Sequence, residues 1–305
     1  MRVLLVANAI KQTATGLASA RDWLAAQGME FEQITSEHLV LHDPFSSEWK
    51  ERVQQFDLVV SFGGDGTILR VARMIGASKV PLMAFNFGGM GFLASDQSTA
   101  LLQGLNSFAS GAFSLDARTL AAVDISYADG STEQQLALNE AVISRGNFGR
   151  IVSLDLLVNT VFLDRTRGDG VLVATATGST AYALSAGGPL ISPHYDGLVI
   201  VPIAPHTLKA WSVVTGPADI VTLRPSAENA QRLVLFLDGE VLWSPANSEK
   251  LSQPPAEPGS LAVSGPEILS ISVRPSAAQL QIVRFTPHDF YSQIAQNFFG
   301  DGPTG

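Results

Sequence analysis

The sequence contains no cysteine. Its absence excludes a disulfide framework, a thiolate metal site and a cysteine nucleophile, and leaves the redox compartment unmarked. Charge is scarce as well. Asp, Glu, Lys and Arg make up 15% of the chain, against about 25% in ordinary globular proteins. The balance is acidic, 28 acidic against 19 basic residues for a net charge of −9. A general basic footprint for nucleic acid or anionic membrane is therefore excluded, and any bound polyanion must be held by a local site against the global charge. No stretch approaches the roughly 18 apolar residues that span a bilayer. The opening residues, MRVLLVANAIK, reach polar Asn8 and Lys11 before a signal-peptide core forms. They read as a buried first strand, and the chain as a cytoplasmic protein.

What is present is apolar. Residues of the set AVILMFWYC fill 46% of 305 positions, enough to bury a substantial core, and at roughly 100–200 residues per domain the length suits two domains. Residues 3–6 form a first apolar run, and a helical pattern over 14–27 follows, with Leu17, Ala20, Trp23 and Leu24 on one side and Gly28 as its stop. The order repeats: a strand over Phe56–Phe62, a glycine-rich turn over Gly63–Thr67, a helix over Ile68–Ile75, then a strand over Pro81–Asn86. Strands alternating with helices predict a parallel, doubly wound α/β sheet. After about residue 115 the rhythm changes. Residues 120–128 meet Asp129-Gly130, a hairpin signal, and a return strand is expected over Leu136–Ile143. Further short strands are expected over 154–158, 161–163, 171–174, 198–203, 220–223, 233–237, 241–243, 269–273 and 280–285. They predict an antiparallel β domain, a sandwich or folded sheet. Residues 244–260 read as a solvated loop, and 290–299 as a helical tail.

Four constellations carry the chemistry. In Gly63-Gly64-Asp65-Gly66-Thr67, glycines between a strand and a helix let backbone N–H groups approach an oxyanion at the helix N-terminus. Asp65 is out of place in a pure phosphate cradle, because a carboxylate repels the ligand; it fits a base toward a hydroxyl or a magnesium contact. The plain alternative is a βα turn with Asp65 as helix cap. The loop Asn86–Leu93 follows the next strand on the same rim; it is expected either to form a cleft with the first loop or to pack against the second domain. Asn139-Glu140 combines donor and acceptor capacity suited to ribose hydroxyls or a base edge, though the pair alone says little. The longest block runs from Arg167-Gly168-Asp169-Gly170 to Thr175–Pro189. Its hydroxyl cluster, Thr175, Thr177, Ser179 and Thr180, reads as a helix N-terminus with exposed donors, or as close packing between strand and helix. Asp169 would pair with Arg167 or accept from an exocyclic amine. The histidines (38, 42, 194, 206 and 288) have no metal-ligand spacing, and Ser179 and Ser185 lack a nucleophile-elbow frame.

In this order and at these separations the blocks GGDGT (63–67), NxGxxGFL (86–93), NE (139–140), RGDG (167–170), TGSTAY (177–182), SAGGP (185–189), PIAPHTL (202–208) and Asp238-Gly239 resemble the NAD kinase family. The resemblance implies a Rossmann-like N-terminal domain over 1–115, a β-rich, sandwich-like NAD-binding domain over 116–286, and a C-terminal helix over 287–305 packing back on the first. It implies transfer of the ATP γ-phosphate to the 2′-hydroxyl of the NAD adenosine ribose, with Mg2+ accompanying ATP and Asp65 as the base. It further places Gly66, Asn139, Glu140, Arg150, Arg167, Asp169, Thr177, Thr180, Ala181, Tyr182 and Ser185 around NAD. Members form homodimers or homotetramers, and neither nucleic acid nor membrane is an expected partner. The sequence departs from the pattern at Ala9 and Ala176, where proline is usual, at Glu240, where Gln or Asn is usual, and at Arg167, where a neutral residue is usual. The competing readings are a catalytically weak NAD(P)-binding regulator and a lipid kinase sharing the GGDG turn.

Overall fold

The computed structural model describes residues 1–9, 11–87, 93, 96–97, 100–146, 150–207, 209–226, 233–244, 266–286 and 289–299. Its first elements are β1 (Arg2–Ala7), α1 (Lys11–Ala26), β2 (Glu30–Thr35), α2 (Pro44–Arg52), β3 (Leu58–Phe62), α3 (Asp65–Ile75), β4 (Leu82–Asn86), β5 (Asp96–Gln97) and α4 (Leu101–Ser110). Strands β6 (Ser114–Tyr127), β7 (Thr132–Ala137), β8 (Glu140–Ser144), β9 (Val152–Val158), β10 (Val161–Gly168) and β11 (Gly170–Thr175) follow. A 3-10 turn (Thr177–Thr180), α5 (Tyr182–Ser185), β12 (Leu198–Ile203), β13 (Val213–Val214), β14 (Val221–Pro225), β15 (Val234–Leu237), β16 (Glu240–Trp243), β17 (Ile268–Arg284) and α6 (Phe290–Ile294) complete the order. The chain divides into two units. One holds Met1–Glu37, Trp49–Ala117 and the chain from Leu280; the other holds His38–Glu48 and Arg118–Gln279.

In the first unit β2, β1, β3 and β4 lie side by side in that order, all parallel. Parallel neighbours require crossover connections, which α1 makes between β1 and β2 and α3 between β3 and β4. Val3, Leu5, Leu58, Val60, Phe62, Met83 and Phe85 form one core with Ala20 and Leu24 of α1 and Leu101 and Leu105 of α4. Helix α3 lies against β3 and β4 and buries Ile68, Val71, Ala72 and Ile75. Strands covered on both faces carry continuous apolar runs, as residues 3–6 and 58–60 do. The last residues of β17 join this sheet, Ile282 pairing with Leu82, and a buried Arg284–Asp116 ion pair at 3.1 Å sits beside them.

The second unit carries two antiparallel ladders, β10-β9-β14-β17 and β13-β12-β11-β8-β15-β16, with the β6–β7 hairpin beside them. Their alternate residues share one core, in which Val171, Val173, Leu198 and Ile200 join Leu154, Leu156, Val221 and Leu223. The intervening residues Leu172, Ala174, Val199 and Val201 pack with Ala183 of α5, so β11 and β12 are covered on both sides. The α/β plus β fold class is thus the one the hydropathy rhythm predicts.

Three local expectations are corrected. The single strand expected over Leu136–Ile143 is two strands of different sheets, broken at Leu138-Asn139; Leu138 carries the apolar run into the break and Ala141-Val142 resume it just beyond, so hydropathy hides it. The two strands expected over 269–273 and 280–285 are one, β17; residues 274–279 are partly or fully exposed, so the apolar signal lapses while the backbone stays extended. The helix expected after Thr175 is a 3-10 turn followed by the single turn of α5. Helices α1 and α3 each begin three residues earlier than their apolar patterns suggest. Of the loop over 244–260, residues 245–260 lie outside the described residues, and the tail is α6 followed by a π turn over Ala295–Phe299. Among the described residues no helix is long and apolar enough to cross a membrane.

Candidate functional site

The sequence-predicted residues divide between the units: Asp65 and Gly66 belong to the first, the others to the second. Strand β3 ends at Phe62 and α3 starts at Asp65, leaving Gly63 and Gly64 to make the turn. Gly63 donates its N–H to the Phe85 carbonyl at 3.1 Å, and a Cβ there would collide with the Thr67 side chain. Gly64 is the cap residue and its carbonyl accepts from Thr67 and Ile68 N–H at 3.0 and 3.3 Å. Asp65 therefore stands inside the first helical turn, not at the cap position. At Gly64 and Gly66 a Cβ would have no atom within 4 Å, and neither glycine has positive φ. Packing and backbone geometry within the unit leave both glycines unexplained, whereas close approach of a ligand to the amides heading α3 explains them.

The neighbouring carboxyl ends of the parallel strands are where open α/β sheets take ligands. Asn8, just past β1, donates its N–H to the Phe62 carbonyl at 3.2 Å, and Ala9 N–H donates to Glu37 Oε1 at 2.6 Å. Asn8 Oδ1 and Glu37 Oε2 are buried without a hydrogen-bond partner among the described residues. Past β4, the Phe87 ring lies against Gly16 and 5.8 Å from the Phe62 ring. The rest of the second glycine-rich loop, residues 88–92, lies outside the described residues.

In the second unit the break at Leu138-Asn139 is fixed from two directions. The Asp238 carboxylate, at the β15–β16 turn, accepts N–H bonds from Leu138 (3.0 Å), Asn139 (2.7 Å) and Glu140 (3.2 Å). Its own N–H donates to the Glu140 carbonyl at 3.0 Å. From the other side, Thr175 N–H donates to the Asn139 carbonyl at 2.8 Å and Thr175 Oγ1 to the Leu138 carbonyl at 2.6 Å. The same hydroxyl accepts from Gly178 N–H at 3.1 Å. A Cβ on Gly178 would collide with the Asn139 carbonyl, so glycine here permits the close approach of two backbones. These contacts bring Asn139 and Glu140 beside the 3-10 turn that carries Thr177 and Thr180.

Three polar atoms in this cluster, Asn139 Oδ1, Glu140 Oε2 and Thr177 Oγ1, are buried without a partner among the described residues. Buried polar groups are ordinarily satisfied, and each orphan costs about 1–3 kcal/mol. Three together leave hydrogen-bonding capacity that a ligand could use. Burial pushes the Glu140 carboxyl up to about 8, and the Asp238 charge adds to the effect. Glu140 is therefore mostly a neutral acid at pH 7, able to donate as well as accept, where an ordinary glutamate would be a carboxylate. The hydroxyl cluster splits by role. Thr175 and Ser179 are wholly buried and spent on backbone, Ser179 donating to the Ala176 carbonyl and accepting from Ile191 N–H. Thr177 keeps its orphan oxygen, and Thr180 Oγ1 donates to the Thr177 carbonyl at 3.2 Å. Ala181 is half-buried, and Tyr182 and Ser185 are exposed.

Asp169 and Arg167 are not brought to this cluster. Asp169 precedes β11 and Thr175 ends it, so at about 3.3 Å per residue they stand about 20 Å apart. The partner of Asp169 is Arg145, through two bonds of 2.6 and 3.3 Å, and not Arg167, whose side chain is exposed. Arg150 is exposed as well, and its neighbours 147–149 lie outside the described residues. Glu240, the acidic departure after Asp238-Gly239, accepts from Leu41 N–H at 3.3 Å within the same unit. Sequence reasoning missed the contacts of Asp238, which entered only as part of the Asp238-Gly239 block and turn, and of Arg145, which no local motif marks.

Comparison with known proteins places the chain in a family. The model of the ATP-NAD kinase N-terminal domain matches residues 3–113 and that of the ATP-NAD kinase C-terminal domain residues 138–252. The chain is 35% identical over 224 residues to an NAD kinase of Caldanaerobacter subterraneus, covering 73% of this chain and 78% of that one. It is 34% identical over 246 residues to one of Symbiobacterium thermophilum, covering 81% and 80%. The fold is similar to that of yeast NADH kinase complexed with NADH, with a TM-score of 0.79 at 22% identity over all of this chain and 89% of that one. It is also similar to an NAD kinase from Archaeoglobus fulgidus in complex with ATP, with a TM-score of 0.70 at 22% identity over 98% of each. With both domain models matched across most of its length, the chain belongs to the NAD kinase family.

Proposed function

We propose that the protein transfers the γ-phosphate of ATP to the 2′-hydroxyl of the NAD adenosine ribose, releasing NADP and ADP. The observation that carries this reading is the trio of buried, unsatisfied oxygens on Asn139, Glu140 and Thr177. An amide, a neutral acid and a hydroxyl together offer donors and acceptors for a nucleoside, without a charge that would demand a phosphate. Thr180, Ala181, Tyr182 and Ser185 extend that surface along the 3-10 turn and α5, and Arg150 adds an exposed cation. Asp65 is the base: it takes the proton of the 2′-hydroxyl as that oxygen bonds to the γ-phosphorus and the bond to the ADP oxygen breaks. Gly66 keeps the head of α3 open for close approach. Phosphoryl transfer of this kind rests mainly on positioning and electrostatics, which amides and one carboxylate can supply.

Among the described residues no three His, Cys, Asp or Glu side chains gather into a cation cage. The metal of this reading is a Mg2+ ion carried by the triphosphate, which draws few ligands from the protein. When bound, the ion neutralises charge on the phosphoryl oxygens. We infer a homodimer or homotetramer, in the cytoplasm: the separation of Asp169 from the Thr175 end of β11, where Asn139 lies, suits a residue that serves a neighbouring copy. The test is NADP formation by the purified protein with MgATP and NAD, followed by a coupled enzymatic readout. NADP that appears only with both substrates supports the reading; none under varied metals and phosphoryl donors overturns it.

A further inference from the structure

The three unsatisfied oxygens are useful to a ligand only if they are held still, and the residues that hold them do not themselves face it. Asn139 and Glu140 sit where the chain leaves β7 and enters a different sheet at β8, a junction where, among the described residues, Leu138 and Asn139 belong to no strand ladder. Asp238 meets all three consecutive amides of this junction and returns one N–H to the Glu140 carbonyl. Asp238 is 7% exposed and lies in the left-handed region at φ +48. Few side chains tolerate that conformation; Asp and Asn do so best. Asn would keep the turn but has one acceptor oxygen for three donors, and would aim an NH2 at amides. On the carbonyl side Thr175 holds Leu138 and Asn139 with its hydroxyl and its N–H.

We infer that Asp238 and Thr175 are positioning residues for nucleotide binding: they grip the Leu138–Glu140 backbone from its amide and carbonyl sides and so set where the Asn139, Glu140 and Thr177 oxygens point. The inference rests on the reading of that trio as the nucleoside contact. It assigns function to an Asp-Gly turn a hundred residues away, and to a hydroxyl that never meets the ligand. Support residues of this kind matter because a displacement near 1 Å at the contact loosens every bond made there.

The experiment is titration calorimetry of the whole protein with NAD, alongside steady-state kinetics. Asp238→Asn should weaken NAD binding about tenfold or more, and raise the KM for NAD while leaving the KM for ATP within about twofold. In an Asn139→Ala background the same change should cost less than in the wild type, because one of the three oxygens that Asp238 positions is already gone. Thr175→Val should weaken NAD binding similarly, and Thr175→Ser, which keeps the hydroxyl, should restore it. Wild-type protein that fails to bind NAD overturns the functional reading itself. Wild-type protein that binds NAD, with Asp238→Asn equal to it or additive with Asn139→Ala, overturns the positioning role alone. If Asp238→Asn does not fold, the Thr175→Val and Thr175→Ser pair decides: equal affinities overturn the inference, and loss with rescue upholds it.

Discussion

Asp65 occupies the first helical position of α3 with Gly64 ahead of it as cap, so its carboxylate is carried on a rigid element without being the cap of that element. As the proposed base, Asp65 should matter for the chemical step far more than for affinity. Asp65→Asn keeps shape and polarity and removes the proton acceptor. It should lower kcat by about 10²–10⁴-fold, the usual worth of general base catalysis, with the dissociation constant for NAD changed little. Parallel loss of turnover and of calorimetric NAD affinity would argue against the role. The place of Asp65 at the head of α3 was legible because the pattern strand, Gly-Gly-Asp-Gly, helix is local. Asp238 was not: its three acceptor bonds reach residues about a hundred positions away in sequence, and locally it looks like any Asp-Gly hairpin.

Glu140 adds a prediction in pH. Its carboxyl is raised from an ordinary 4.5 to about 8, so the folded state holds a proton that the unfolded chain has already released. The stabilising preference for the protonated form is complete below about 4.5 and is lost as pH rises toward 8. In that window the folded protein should lose up to about 1.4 kcal/mol of stability per pH unit from this group. Glu140→Gln is uncharged at any pH and should flatten the slope, the variant gaining on the wild type between pH 6 and 8 in urea unfolding. Identical slopes in the two proteins would show that Glu140 ionises normally.

At the scale of elements, the glycines separate what the fold requires from what a ligand requires. Gly178 passes directly over the Asn139 carbonyl, and a methyl there has nowhere to go because its neighbour is backbone. Gly178→Ala should destabilise the protein by about 1–3 kcal/mol, as overpacking does, and weaken NAD binding with it. Gly66 is the opposite case, with open space around a Cβ and no positive φ. Gly66→Ala should be neutral or stabilising by about 0.4–1 kcal/mol and yet impair activity. Chemical denaturation beside kinetics checks both; a destabilised Gly66→Ala with normal turnover would remove the case for ligand approach at α3. Elements with a strong apolar rhythm, such as β1, β3, β11 and β12, were legible in the sequence. The junction between β7 and β8 was hidden, because Leu138 sustains the apolar pattern while the chain changes sheets.

For the molecule as a whole, the sparse and acidic charge sets how substrates arrive. A net charge of −9 repels ATP and NAD at long range, so attraction has to come at close quarters from fixed amides, a few arginines and the triphosphate's own cation. Such short-range contacts lie inside the screening length, about 8–10 Å at physiological salt, whereas the repulsion of the whole surface lies largely outside it. Raising salt should therefore screen the repulsion more than the binding. At saturating magnesium, kcat/KM for NAD should hold steady or rise between about 50 and 300 mM potassium chloride, where a steered enzyme with a basic cleft would slow markedly. A fall of several fold across that range would mean that positive potential reaches well beyond the site, and that the acidity of the chain as a whole is no guide to its binding face.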